Sequence, residues 1–456
     1  MNFFHDIVDH THRLAVDVLS SHSIDKDSPW SPEVPEDLRE WLPDLFDRFP
    51  IVLPWTQPSP VDPALHTVWL LDNTAFRTPA KGDHRPELAE QRDPNYTRPT
   101  VKDDAGRDVA AHEGRASGWE MEIVACYFVK NSGRDVARVA AQLAHALDIE
   151  ENDVACRKRI EARLQPFLDT VLPNRTLRIN VADAENLALG PSSHSGISSS
   201  LHPLHFNPPV DVVSLSSSAL TIPPPFSLPS TTFLAPEKGW MIISDIDDTI
   251  KITQSPSPLG LLRNTFTVPT PLPTPDMPDL YARLQQVLGP SPPFFYLSAS
   301  PYPLYPFLRT FLQANYPAGT LILRDASWQN LGGFVASLSQ DVEAYKLDRI
   351  SKIHSWLPHR QTICIGDSTQ SDPEAYGDAA RKYPGWIKAI FIRRVEGIAG
   401  MDESKKNADG RFEAAFKGLD RSLWTVFSDP REVAERVEAL VAQDGGRERV
   451  QGDVLH

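Results

Sequence analysis

The sequence predicts an α/β protein: a parallel sheet with helices on both faces, preceded by a β-rich domain with a helical insert. Three observations predict it. After Lys238, short apolar runs alternate with helical patterns, the rhythm of βαβ units. Before Lys238, the apolar runs are rich in β-branched and aromatic residues and are strand-like. Finally, 42 of the 456 residues are proline, nearly twice the usual ~5%, which argues against long uninterrupted helices and excludes a coiled-coil rod.

In chain order, residues 1–50 form an N-terminal helical segment. Phe3, Phe4, Ile7, Val8, Leu14, Ala15, Val18 and Leu19 fall near helical spacing. Residues 51–185 form the β-rich domain, with strands expected over 67–71, 122–129 and 176–181. A helical insert over 135–172 is expected to break near 150–153, and 80–118 reads as a long polar loop. Residues 186–209 are Ser/Gly/Pro-rich and read as a flexible segment. Residues 210–237 carry the strands that complete this domain, around Pro223-Pro-Pro-Phe-Ser-Leu-Pro229. Residues 238–440 form the α/β domain, with expected strands at 241–243, 294–297, 321–323, 362–365 and 389–392. Helical patterns cover 280–287, 305–314 and 345–356, and 441–456 form a tail.

Lys+Arg number 45 against Asp+Glu 60, a net charge of −15, which argues against non-specific nucleic-acid binding. The three cysteines, Cys126, Cys156 and Cys364, show neither zinc spacing nor a disulfide framework, so a reducing, cytoplasmic compartment is expected. The first residues do not read as a signal peptide, and no apolar run reaches the ~18 residues of a membrane span.

In open parallel sheets, chemistry sits beyond the carboxyl ends of the strands. The first α/β strand ends in Asp245-Ile-Asp-Asp-Thr249, the second in Ser298-Ala-Ser300, and a later one in Gly366-Asp-Ser-Thr-Gln-Ser-Asp372. Lys346 lies near the start of the helix before that last strand. Clustered carboxylates repel unless a cation sits among them, and an oxygen-only set suits Mg²⁺. With a lysine and a hydroxyl added, the set describes a phosphate site with a built-in carboxylate nucleophile.

These four motifs, in this order, resemble the haloacid dehalogenase superfamily, which implies a Rossmann-like parallel sheet with a small cap insert. Ser244-Asp-Ile-Asp-Asp-Thr-Ile-Lys251, Tyr296-Leu-Ser-Ala-Ser-Pro-Tyr302, Lys352-Ile-His-Ser-Trp-Leu-Pro358 and Gly366-Asp-Ser-Thr-Gln-Ser-Asp-Pro-Glu-Ala-Tyr376 are similar to the fungal actin-patch phosphatidate phosphatase family, over roughly 238–440. That resemblance implies a Mg²⁺-dependent hydrolase converting phosphatidate to diacylglycerol and phosphate through an aspartyl-phosphate. It implies Asp245 as nucleophile, Asp247 as general acid/base and Thr249 as loop support. Ser298 matches the phosphate-binding hydroxyl and Lys346 the motif lysine, with Lys352 as the alternative. Asp245, Asp247, Asp367 and Asp372 are the expected metal ligands. The implied surroundings are a membrane surface bearing phosphatidate, a peripheral position or cortical actin patches, and no nucleic acid. A phosphohydrolase of other lipid or soluble phosphomonoesters is the enzymatic alternative. The other alternative is an adaptor whose runs Pro223–Pro229 or Pro269–Pro275 dock SH3-type grooves.

Other residues carry open readings. Asp248 either supports the site or caps its loop. Ser300, Tyr302, Tyr305 and Phe307 either serve the substrate or the packing. Arg393-Arg394 follow a strand, and His202 and His205 are a weak metal pair. Residues 250–290 leave room for the cap. From Lys238 to Gly400 the chain carries 15 Lys+Arg against 14 Asp+Glu, so the acidic excess lies outside the domain that bears the motifs.

Overall fold

The computed structural model describes residues 57–77, 118–132, 136–209, 211–324 and 342–453, with side chains up to 444. The expected N-terminal helix over 3–20 and nearly all of the expected 80–118 loop lie outside these residues.

The first ten strands form one mixed sheet. They are β1 (Ser59–Pro60), β2 (His66–Leu70), β3 (Asn73–Arg77), β4 (Trp119–Val129), β5 (Arg175–Val181), β6 (Glu185–Leu189), β7 (Ile197–Pro203), β8 (Ser214–Ala219), β9 (Ser227–Leu228) and β10 (Ser230–Ala235). Their order is β1-β5-β8-β10-β3-β4-β2-β9, with β6 on β5 and β7 on β4. Strand β4 shows why the sheet is covered on both sides. Its Ile123, Ala125 and Tyr127 enter a core with Val68, Leu70, Ile179 and Leu234. Cys126 and Phe128, on the opposite face by the two-residue period, pack against the helical insert.

That insert is two helices, α1 (Val136–Ala146) and α2 (Val154–Leu168), broken over 147–153 as expected. Asp153 caps α2 by accepting from Cys156 N at 2.9 Å.

Two expectations need correction. The segment 186–209 is not without regular structure: β7 pairs antiparallel with β4 from Cys126↔Ile197 to Glu120↔Pro203. Serines hid this strand from a hydrophobicity reading, but Ser198 is buried and its hydroxyl pairs with Tyr127 Oη at 2.9 Å. The proline runs are also built into the fold. Pro223–Pro229 turns through Phe226 N→Pro223 O and feeds β9, while Phe226 O accepts from Val68 N. Pro269 O accepts from Arg163, and Leu272 O accepts from Ile252 N. Neither run is presented as a free extended ligand.

The second sheet is parallel throughout, in the order β13-β12-β11-β14-β15-β16. Its strands are β11 (Gly239–Asp245), β12 (Phe294–Pro301), β13 (Thr320–Arg324), β14 (Arg360–Asp367), β15 (Ile387–Arg393) and β16 (Trp424–Phe427). Helices cover both faces, which is why these strands are nearly continuous apolar runs. On one face, Ile242, Tyr296, Ile363 and Phe391 pack on α3 (Met277–Val287), α4 (Tyr305–Asn315), α7 (Pro430–Asp453) and the N-terminal pair α1–α2. On the other, Met241, Ile243, Phe295, Cys364 and Ile390 pack on α5 (Val342–Trp356) and α6 (Asp372–Lys382). The β11–β12 connection holds a short helix, Pro258–Leu262, a π turn, Arg263–Thr267, and α3, which belongs to the covering layer. The insert available as a cap is therefore smaller than 250–290. Among the described residues, no helix is long and apolar enough to cross a membrane.

The mixed sheet is joined to the parallel one by polar contacts. Asp72, between β2 and β3, accepts from Arg309 Nε and Nη2 of α4 at 2.7 and 2.8 Å. Thr74 and Thr320 hydroxyls meet at 2.7 Å, and Lys352 of α5 bonds Glu122 of β4 at 2.6 Å. Arg159 and Arg163 of α2 donate to the carbonyls of Thr267 and Thr265 at 2.8 and 2.9 Å.

Candidate active site

Strands β11, β12 and β14 end side by side, and their C-terminal residues bring the motif side chains to one edge. The turn after β11 is tight: Ile250 N and Lys251 N both donate to Ile246 O, and Asp248 N donates to Lys251 O. Asp248 takes a left-handed φ of 63°, a conformation aspartate tolerates better than most residues. Its carboxylate accepts from the backbone of Thr253, Gln254 and Ser255 at 2.7–3.0 Å and from Ser255 Oγ at 2.7 Å. Asp248 thus caps the loop. Arg393 supports the same loop, donating to Asp248 O at 2.8 Å.

Asp245, Asp367 and Asp372 are buried, and each offers a carboxylate oxygen within 4.8 Å of the others. Lys346, fully buried, enters among them: Nζ is 2.6 Å from Asp245 Oδ1 and also bonds Asp372 Oδ1. Lys352, six residues on, points elsewhere and pairs with Glu122. The difference follows from helix periodicity: Val342, Lys346, Ile350 and Ile353 share the buried stripe of α5.

Asp372 reaches the edge because Gly366 leaves room. A Cβ at Gly366 would stand 2.6 Å from Asp372 Oδ2, and that oxygen accepts from Asp367 N at 3.0 Å. Thr249 Oγ1 lies 2.9 Å from Asp245 Oδ2 and 2.8 Å from Asp367 Oδ2.

Asp247 is not among the three that converge. Its Oδ2 accepts from Ser298 Oγ at 2.6 Å and its Oδ1 from Thr253 Oγ1 at 2.8 Å. Of the four carboxylates expected to ligate a metal, three converge. The Asp247 side chain stands apart because both its oxygens are engaged by hydroxyls. Ser298 Oγ also accepts from Ser300 N at 3.0 Å, so Ser300 serves the turn through its backbone.

Burial and the neighbouring Asp372 push Asp245 well above the ordinary carboxylate range, and Lys346 only partly opposes them. Burial and Asp372 also raise Asp367. Burial alone would lower Lys346, but Asp245, Asp372 and Asp367 outweigh it and its pKa is raised.

The donor set fits a hard cation in two respects. Three buried carboxylates face one ammonium, an excess of negative charge in a low-dielectric place. Thr249 has one hydroxyl proton for two carboxylate oxygens, so one oxygen lacks a donor.

Other residues singled out in the sequence are structural. Tyr305 Oη accepts from Asp72 N at 2.6 Å. Tyr302 is buried and Phe307 packs against the core. His202 meets Ser200 and His205 meets Glu185, so the two histidines do not pair. Arg394 donates to Asn407 O. The sequence reading missed Thr253 and the site role of Lys251. The available signal was a lysine set between Ile250 and Ile252, directly after the Asp245–Thr249 loop.

Comparison with known proteins finds similarity over the segment that holds this site. A family model described as "Phosphatidate phosphatase APP1, catalytic domain" matches residues 240–394. The chain is 30% identical over 256 residues to phosphatidate phosphatase APP1 of Saccharomyces cerevisiae, covering 54% of this chain and 42% of that protein. It is 28% identical over 179 residues to an uncharacterized protein of Schizosaccharomyces pombe, covering 37% of this chain and 28% of that one. The chain thus spans less than half the length of each of these curated relatives.

Proposed function

We propose that the chain, whose residues 240–394 match the model of the phosphatidate phosphatase APP1 catalytic domain, is a Mg²⁺-dependent phosphatidate phosphatase with a haloacid-dehalogenase-type active site. The observation that carries the reading is the meeting of Asp245, Lys346, Asp367 and Asp372 at the carboxyl edge of the parallel sheet, inside the matched segment.

Asp245 attacks phosphorus from one carboxylate oxygen. The bond from phosphorus to the glycerol oxygen breaks, and Asp247 gives that oxygen its proton, releasing diacylglycerol. Asp247, now ionised, takes a proton from water as the water oxygen attacks the aspartyl-phosphate. Inorganic phosphate leaves and Asp245 is restored. Ser298 donates to a phosphoryl oxygen, and Lys346 offsets charge on the transferring group while orienting Asp245. Thr249 holds Asp245 and Asp367 in register. Bound by Asp245, Asp367 and Asp372, a Mg²⁺ ion would supply charge neutralisation for the phosphoryl oxygens. The insert between β11 and α3 is short, which suits a headgroup held at a membrane surface.

Phosphate release is measured from phosphatidate in mixed micelles and from soluble phosphomonoesters, with EDTA and then with excess Mg²⁺. The reading expects release from phosphatidate that EDTA abolishes and Mg²⁺ restores. Release confined to soluble esters would replace the substrate, and activity undiminished by EDTA would remove the metal.

A further inference from the structure

Lys251 is a buried cation, 1% exposed, beside the site but outside the Asp245–Lys346 cluster. Its Nζ donates to Thr253 Oγ1 at 2.8 Å and lies 3.9 Å from Asp247 Oδ1. An ammonium cannot accept a hydrogen bond. The Thr253 hydroxyl therefore receives from Lys251 and turns its own proton to Asp247 Oδ1, at 2.8 Å. Lys251 is itself fixed: its backbone bridges to Asp247 and to Pro273, and its Nζ lies 5.7 Å from the Phe307 ring centroid. Thr253 N is tied to Asp248 Oδ1 at 3.0 Å.

Asp247 has a second hold, Ser298 Oγ on Oδ2. A serine has one hydroxyl proton. Once Ser298 turns that proton to a phosphoryl oxygen, Lys251 and Thr253 are the side chains left holding Asp247.

We propose that Lys251 and Thr253 are positioning residues for Asp247, aiming its free oxygen at the leaving group while Ser298 is occupied by the phosphate. The inference rests on the phosphatase reading and on the acid/base role of Asp247.

Its signature is dependence on the leaving group. An alkoxide leaving group, as in phosphatidate, needs its proton delivered. The stabilised phenolate of p-nitrophenyl phosphate does not, so misplacing the acid is nearly silent in the phosphorylation step of that substrate, which kcat/KM reports; the later attack of water, for which Asp247 is the base, is common to both substrates. A general acid contributes roughly 10²–10⁴-fold. Lys251→Met and Thr253→Val should lower kcat/KM on phosphatidate by about a hundredfold and change kcat/KM on p-nitrophenyl phosphate by less than about threefold. Thr253→Ser keeps the hydroxyl and should restore most of the phosphatidate rate. Thermal unfolding identifies a variant that fails to fold. Thr253→Val, which leaves the cation in place, carries the test if Lys251→Met does not fold.

An equal loss of kcat/KM on both substrates, or no loss on phosphatidate, overturns the positioning role while leaving the phosphatase reading intact. If the unaltered enzyme releases phosphate from neither substrate, the phosphatase reading fails and the positioning role falls with it.

Discussion

The parallel sheet and the mixed sheet handle buried charge in opposite ways. At the carboxyl edge of the parallel sheet, Asp245, Asp367 and Asp372 crowd around one ammonium, that of Lys346. Where the mixed sheet meets α4, Asp72 faces a single guanidinium, Arg309, with two parallel hydrogen bonds and a third donor from Thr231 N. One arrangement leaves charge unmatched and the other matches it one to one. The first suits a site that must receive a cation and a phosphate. The second suits a joint, because a bidentate pair fixes distance and angle together.

Substitutions test this contrast. The largest effect is expected at Lys346. Lys346→Met keeps the length but leaves Asp245 and Asp372 unpaired, so phosphate release should fall by at least ~10²-fold. Denaturant unfolding at neutral pH should show a loss of about 3–5 kcal/mol in the metal-free protein. Added Mg²⁺ should return part of that stability if the carboxylates bind it.

Next comes the joint. Asp72→Ala strands Arg309, whose side chain is 13% exposed, and should cost about 3–5 kcal/mol of stability. Its activity per folded molecule should hold much better than in Lys346→Met. If Asp72→Ala silences a folded enzyme, the joint and the site are not separable.

A smaller effect concerns acid. Burial, with help from Lys382 and His359, lowers His354 from 6.5 to about 4. The folded state therefore favours the neutral ring. That stability is fully present above pH 6.5 and is lost as pH falls from there towards 4. His354→Phe keeps a ring against Tyr383, now stacked at 3.8 Å, and should flatten the stability profile between these values.

Smallest is Lys352→Ala. Its pair with Glu122 is partly exposed, so the change should cost no more than about 1 kcal/mol and leave kcat unaltered. A large loss of activity there would reopen the choice between the two lysines.

The two sheets also differed in how far their sequences could be read. In the parallel sheet, the central strands are buried on both faces, so apolar runs marked them and polar residues marked their ends; the edge strand β16, four residues with Thr425 and Val426 half-buried, went unread. Asp245, Ser298 and Asp367 stood out for that reason. The choice between Lys346 and Lys352 was decidable in principle, since Val342, Ile350 and Ile353 mark the buried stripe that includes Lys346. Thr253 was not legible, because a loop has no period and its partner Asp247 is brought close by the turn alone. In the mixed sheet, β4 and β5 were visible, but β7 was disguised by serines whose burial depends on a partner far along the chain, Tyr127. The strand order was equally hidden. Pairings such as β10 with β3, parallel and over 150 residues apart, are set by closure of the core and have no local signal.

Substitution at Asp245 tests the central claim most directly. Asp245→Asn preserves size and removes the carboxylate proposed as nucleophile, so phosphate release from phosphatidate with saturating Mg²⁺ should fall by at least about 10³-fold, with thermal unfolding showing an intact fold. Release within tenfold of the unaltered enzyme would contradict the assignment of Asp245 and, with it, the active site described at this edge of the sheet.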